Sequence, residues 1–159
     1  MEIQSAQRLK TKSQNTSKPS VSYRSTANGE RQAKTNPPKD FRDLTIWQLG
    51  KEIALNIYQN TRVFPREEMY GITQQMRCAA VSISSNIAEG YNRRYCKDYA
   101  RFLAISLGSC GELETQIEIC RGLCYLTEQQ TKALLEKLDH ETRMIRSLIN
   151  KMQDYIALK

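Results

Sequence analysis

Residues 64–90 read FPREEMYGITQQMRCAAVSISSNIAEG, and this stretch decides the fold. Ile72, Met76, Ala79, Ala80, Ile83 and Ile87 recur at spacings of three and four, which sets them on one face of a helix. Between them stand Ser82, Ser84, Ser85, Asn86 and Ala88, where a solvated helix would carry Lys and Glu. Small and uncharged polar residues let another backbone approach closely. The pattern therefore predicts a helix with neighbours on more than one side, in its own bundle or in another subunit.

Working outward, the rest of the folded part shows the same periodicity. A first helix is expected over roughly 43–62, presenting Trp47, Ala54, Ile57 and Tyr58 with Ile46 and Ile53 beside them, before a connection that ends at Pro65. The second helix runs from about 72 to 91 and is closed by Gly90. A third, about 96–123, carries Tyr99, Phe102, Leu103, Ser106, Cys110, Leu113, Ile117, Cys120 and Cys124 on one face, with Gly122 suited to its C-terminal stop. The fourth opens on a capping-box pattern, Thr127-x-x-Gln130, and continues through Leu134, Leu138, Ile145, Leu148, Met152 and Tyr155. No segment alternates with period two. Long amphipathic helices with short connections predict an all-α fold, an antiparallel up-down-up-down four-helix bundle over 41–159.

Residues 1–40 differ in kind. They hold eight Lys/Arg against three Asp/Glu, a net of +5 out of +7 for the 159-residue chain. They are rich in Ser, Thr, Asn and Gln, nearly devoid of apolar residues, and end near Pro37-Pro38. Such a segment buries too little surface to offset its ordering entropy, so a disordered basic N-terminal tail is expected. It reads equally as a solubilising leader and as an arm that lies along nucleic acid.

The folded part, at +2, hides a gradient if the helices run up and down. The end that collects the start of the first helix, the second turn and the late fourth helix takes Arg42, Lys51, Arg93, Arg94, Lys97, Arg101, Arg143, Arg146, Lys151 and Lys159. Only Asp43, Glu52, Glu89, Asp98 and Asp154 oppose them, a net of +5, which leaves −3 for the other half. A polyanion would be drawn to that pole by phosphate neutralisation and counterion release. Cations near helix C-termini also suit the macrodipole, but Lys97 and Arg101 open a helix, where the dipole disfavours them. Tyr91, Tyr95 and Tyr99 are interleaved with these bases; Tyr95 is the candidate to stack on an unpaired base, and Tyr99 is expected in the core.

Signs of catalysis are sparse. No Gly-rich phosphate loop and no nucleophile elbow is present. His140 lies between Asp139 and Glu141 and reads as a surface residue. Glu89 is the best single candidate for a working carboxylate, without a second titratable group to act with. The five cysteines, 78, 96, 110, 120 and 124, form no CxxC pair. Cys120 and Cys124 share a helical face, but core packing as thiols is favoured over a metal site. No run approaches the roughly 18–20 apolar residues of a membrane span, and MEIQSAQRLKTKSQ lacks a signal-peptide core. The expectation is a cytoplasmic protein, not an enzyme, without cofactor or metal.

The motifs Phe41-x-Asp43-Leu44, Trp47-Gln48, Ile57-Tyr58, Phe64-Pro65, Glu68-x-Tyr70-Gly71-Ile72-Thr73-x-Gln75-x-Arg77 and Ser82-Ile83-x-Ser85-Asn86-Ile87-Ala88-Glu89-Gly90 follow one pattern. Arg93, Phe102-Leu103, Gly108-Ser109 and Glu112-Leu113-Glu114-Thr115-Gln116 continue it. Over about 41–155 the chain resembles the four-helix-bundle family of proteins encoded in intervening sequences of bacterial 23S ribosomal RNA genes, to which accessory variability determinants of diversity-generating retroelements are related. The resemblance implies a ring-like homopentamer with a basic surface, binding RNA or, in a retroelement, a reverse transcriptase with its RNA template. It makes Ser82, Ser85, Asn86 and Glu89 candidates for the subunit interface. Arg77, Arg93 and Arg101 fall where the family tends to be basic. With the pole, the nucleic-acid candidates are Arg42, Arg77, Arg93, Arg94, Tyr95, Lys97, Arg101, Arg146 and Lys151. Three positions depart: Cys78 replaces a common second Arg, Ser84 a frequent Pro, and Tyr95 a Ser that would cap the third helix. The basic tail is not part of the pattern.

Overall fold

The structure, a computed structural model, describes residues 38–93 and 95–158. The expected tail up to Pro37, Arg94 and Lys159 lie outside the described residues. Four long helices carry the fold: α1 (Thr45–Asn60), α2 (Ile72–Asn92), α3 (Cys96–Gly122) and α4 (Glu128–Ala157), with short 3-10 turns at Phe41–Asp43, Thr61–Val63 and Arg66–Tyr70. Among the described residues there is no strand. The compact unit begins at Pro38. Asp40, at the edge of the segment read as tail, caps the first turn: its carboxylate accepts from the Arg42 amide at 2.9 Å, and Asp43 returns the bond to the Asp40 amide.

The helix ends follow local chemistry. The Thr127–Gln130 capping box forms as the sequence predicts, with Gln130 N donating to Thr127 Oγ1 (3.2 Å) and Thr127 N to Gln130 Oε1 (2.9 Å). Tyr95 leaves α3 without a side-chain cap. Glu68 caps α2 instead of a residue at its N-cap position, accepting from Ile72 N at 3.2 Å. Two stops differ from expectation. α2 runs two residues past Gly90, and that glycine serves packing: a Cβ there would stand 2.7 Å from Phe102 Cβ and 2.8 Å from Tyr99 Cδ2. At the end of α3 the left-handed residue is Cys124 (φ 58), not Gly122. The chain turns there while Tyr125 N donates back to Cys120 O at 2.9 Å, the bond that closes a helix C-terminus. Cys124 therefore does not continue the helical face of Cys120.

The stripe in α2 is the centre of the core. Met76, Ala80, Ile83 and Ile87 are fully buried, joined by Ile57, Leu103, Leu113, Ile117, Leu138 and Ile145 from the other helices. Burial of each large side chain is worth about 1.5–3 kcal/mol. The pairings between helices are specific. Gly50 of α1 sits against Ile83 and Ser84 of α2, and Thr61 against Arg77. On the other side of α2, Met76 meets Cys120, Ile83 meets Ser106 and Gly90 meets Phe102, all in α3. Glu52 of α1 pairs with Lys137 of α4. The neighbours predicted on both sides of α2 are thus α1 and α3.

Candidate nucleic-acid interface

Around the α2–α3 turn the candidate cations fall into two groups, those already engaged and those open. Arg93 pairs with Glu89 one turn earlier and lies over the Phe102 ring at 4.9 Å. Arg42 holds Asp40 through both oxygens (3.1 and 3.2 Å) and covers Phe41. Lys97 and Arg101, one turn apart on α3, are exposed and have no ion pair among the described residues. Arg146 and Lys151 on α4 are exposed and open in the same sense. Tyr95, 66% exposed, precedes Lys97.

Not every candidate joins this group. Arg77 is tied to the far end of α2, where its Nε donates to Thr61 Oγ1 at 2.9 Å and its guanidinium lies 4.8 Å over Tyr58; it staples α1 to α2. Tyr99 is half-buried, edge-on to Tyr91 with centroids 6.3 Å apart. Tyr91 donates its hydroxyl to the Pro38 carbonyl at 2.7 Å. Burial, then Asp40 and Asp43, push its pKa up. Pro38 therefore lies beside the last turn of α2.

A groove of about 480 Å³ opens between the start of α1 and α4, lined by Leu44, Thr45, Ile46, His140, Arg143, Met144, Ser147, Leu148 and Lys151. Sequence reasoning treated His140 as plain surface and did not foresee this groove. Arg143 within it is paired with Asp139 at 2.9 Å.

The interface candidates divide in the same way. Ser82 shares a 2.9 Å hydrogen bond with Ser109 of α3, and Asn86 donates to the Ser82 carbonyl and hydroxyl at 2.8 and 2.9 Å. Both are used inside the bundle. Ser85 and Glu89 are exposed. Exposed apolar residues lie elsewhere: Leu55, Tyr58 and Val81 around a second groove of about 300 Å³, and Ile105, Ile119 and Leu123 along α3. Gly108 and Gly111, on that same helix, face open space.

Among the described residues the buried carboxyl is Glu141, whereas Glu89 is exposed. Glu141 is fully buried and neither oxygen has a hydrogen-bond partner; burial raises its pKa to about 8. The sequence did carry a signal. Position 141 fills the gap between Leu138 and Ile145 in the three-four spacing of α4, so a core position there is occupied by an acid. Cys110, beside it, is pushed up to about 12 by burial, opposed by a hydrogen bond with Thr142 and reinforced by Glu141 and Glu114. Cys120 is likewise raised to about 11, by burial and then Glu68. Such thiols are inert as nucleophiles at neutral pH. No cluster of three or more His, Cys, Asp or Glu suited to a metal occurs among the described residues, and no helix among them is long and apolar enough to cross a membrane.

The fold is that of a small four-helix protein, with the exposed Lys97 and Arg101 following its α2–α3 turn. The chain belongs to the family of the 23S rRNA-intervening sequence protein, whose pattern it matches over residues 42–147. Among solved structures it is similar to a protein of unknown function from the S23 ribosomal protein family of Bacteroides thetaiotaomicron. That likeness has a TM-score of 0.62 at 20% identity and covers 66% of this chain and 95% of that one; it concerns the fold. No curated protein matches the chain.

Proposed function

We propose that this protein is an oligomeric, non-enzymatic RNA-binding bundle that holds the phosphate backbone at its basic pole. The observation that carries the reading is Lys97 and Arg101. They are two exposed cations without an ion pair among the described residues, one turn apart near the start of an uncapped helix, and Lys97 lies in its first turn, where the dipole opposes it. Membership of a family named for ribosomal RNA intervening sequences supports RNA as the polyanion. The reading takes the helices as antiparallel, up-down-up-down, supported by pairings that advance in opposite chain directions: Gly50 with Ile83 and Thr61 with Arg77, then Met76 with Cys120 and Gly90 with Phe102. Arg146 and Lys151 on the late part of α4 then join the same end. The Glu52–Lys137 pair near mid-bundle removes one acid and one base from the gradient and leaves its sign unchanged.

Assembly, as a pentamer in the family's manner, is proposed through the exposed apolar rows: Leu55, Tyr58 and Val81 on one side, Ile105, Ile119 and Leu123 on the other. Two different patches meeting head to tail close a ring, whereas one self-complementary patch makes a dimer. Anisotropy titrations of single-stranded RNA at several salt concentrations test the binding. Kd should rise with salt at a log-log slope of about 0.7 per phosphate neutralised. Lys97→Glu with Arg101→Glu should weaken binding far more than Lys132→Glu with Lys137→Glu. Equal losses, or no binding at low salt, would defeat the reading. Native mass spectrometry reads the subunit number.

A further inference from the structure

Where α1, α2 and α4 meet, the core contains an acid. Glu141 is fully buried with neither carboxyl oxygen bonded, and the residue that makes room for it is Gly50. A Cβ built on Gly50 would stand 3.4 Å from Glu141 Oε1 and 3.2 Å from Ile83 Cγ2. The groove between the start of α1 and α4 passes within one helical turn of this point on both sides: Ile46, four residues before Gly50, lines it, as do His140 and Met144, which flank Glu141. Residues that line the groove therefore neighbour, along both helices, a carboxyl that has no partner inside. A charged carboxylate cannot remain where it is without hydrogen bonds, and the groove offers it a route to solvent.

We propose that Glu141 is a proton-coupled latch on the α1–α4 seam: neutral while the seam is closed, ionised when α1 draws away and water enters from the groove. Opening the seam releases a proton, and raising the pH favours the open form. The device is independent of whether RNA binds. Among the described residues no charge nearby substitutes for water. α1 offers Gly50 at this point, with Lys51 turned over Trp47 and Glu52 paired to Lys137. α2 offers Ile83 and Ser84, neither titratable. α3 offers Cys110, a thiol held neutral. On α4, Arg143 is held by Asp139 and His140 is exposed. The upward shift of the Glu141 carboxyl, from 4.5 to about 8 with burial as its cause, agrees with this enclosure.

The sign follows by linkage. The folded state holds a proton that the unfolded state gives up above about pH 4.5, so stability falls as pH rises from there to about 8 and levels off beyond. The test uses the full chain with ¹³C-labelled glutamate carboxyls, titrated by NMR, Glu141 being assigned by the resonance that Glu141→Gln removes. One carboxyl should titrate several units above the rest. Hydrogen exchange, as protection factors from pH 6 to 9, should then show loss of protection in α1 around Gly50 and in α4 around Glu141, with α2 and α3 holding theirs. The loss should be absent in Glu141→Gln, or in Glu141→Leu should the first variant fail to fold. A Glu141 carboxyl that titrates with the surface glutamates overturns the proposal, as does a loss of protection that is uniform or persists without the acid.

Discussion

Two seams of the bundle bury polar groups and treat them in opposite ways. Between α2 and α3 a group of polar side chains is matched: Ser106 donates to the Ile83 carbonyl at 3.0 Å, Ser82 bonds Ser109, and Asn86 closes on Ser82. Small residues let the helices approach until Gly90 lies against Phe102 and Tyr99. Between α1 and α4 the buried polar group is Glu141, unmatched, beside a groove that the two helices leave unfilled. A hydrogen-bonded polar group in a core costs little, and an orphan costs about 1–3 kcal/mol. The first seam is thus built for permanence, the second for conditional closure. Exposed bases stand on both sides, Lys97 and Arg101 on α3 and Arg146 and Lys151 on α4.

The contrast can be broken deliberately. Gly90→Val should destabilise most, by about 3 kcal/mol, because two side-chain carbons already stand inside the space its branches need; chemical denaturation measures it, and a cost under about 1 kcal/mol would show that the α2–α3 approach is not tight. Glu141→Leu should act the other way, adding about 2 kcal/mol at pH 8 by removing an unbonded acid from the core. Its gain should shrink as pH falls toward 5, since the native carboxyl stays protonated while the pH approaches that at which the unfolded one also takes up a proton; a gain that is constant with pH would mean that only packing changed. Ser106→Ala should cost about 1 kcal/mol for one buried hydrogen bond, with the same value at pH 5 and pH 8, in contrast to position 141. Smallest is Cys124→Gly. The left-handed φ at this position should make it stabilising by roughly 0.5 kcal/mol, less than the cost of the side chain in that conformation because glycine also loosens the unfolded chain. A thermal melt decides its sign.

Much of this was legible in the sequence because it was periodic. The Ile72–Ile87 stripe gave α2 and its core face, Thr127 and Gln130 marked the start of α4, and the absence of period-two alternation agreed with the lack of strands among the described residues. What escaped was decided by geometry across helices. Gly90 looked like a stop, and only the approach of Phe102 reveals it as a packing glycine; α3 does end at Gly122, but the left-handed turn falls two residues later, at Cys124. Glu89 looked like the carboxylate of interest from its neighbours in sequence, yet it faces outward to Arg93 while Glu141 points inward. Ser82 and Asn86 looked available to another subunit; Ser82 is bonded to Ser109 of α3, and Asn86 to Ser82 within its own helix, pairings that no spacing announces. Of the bases, charge counting found the open pair Lys97 and Arg101. It could not see that Arg77 is committed to Thr61 and Tyr58.

The exposed thiols offer a handle. Cys78 and Cys124 are open, and both lie within a turn or so of the Met76–Cys120 contact, at the end opposite Lys97 and Arg101. Cys96, nearer the basic end, is only half-accessible. A maleimide-coated sensor would accordingly grip most molecules by that end and leave Lys97 and Arg101 facing the flow, an orientation ready-made for surface-plasmon measurements with polyanions.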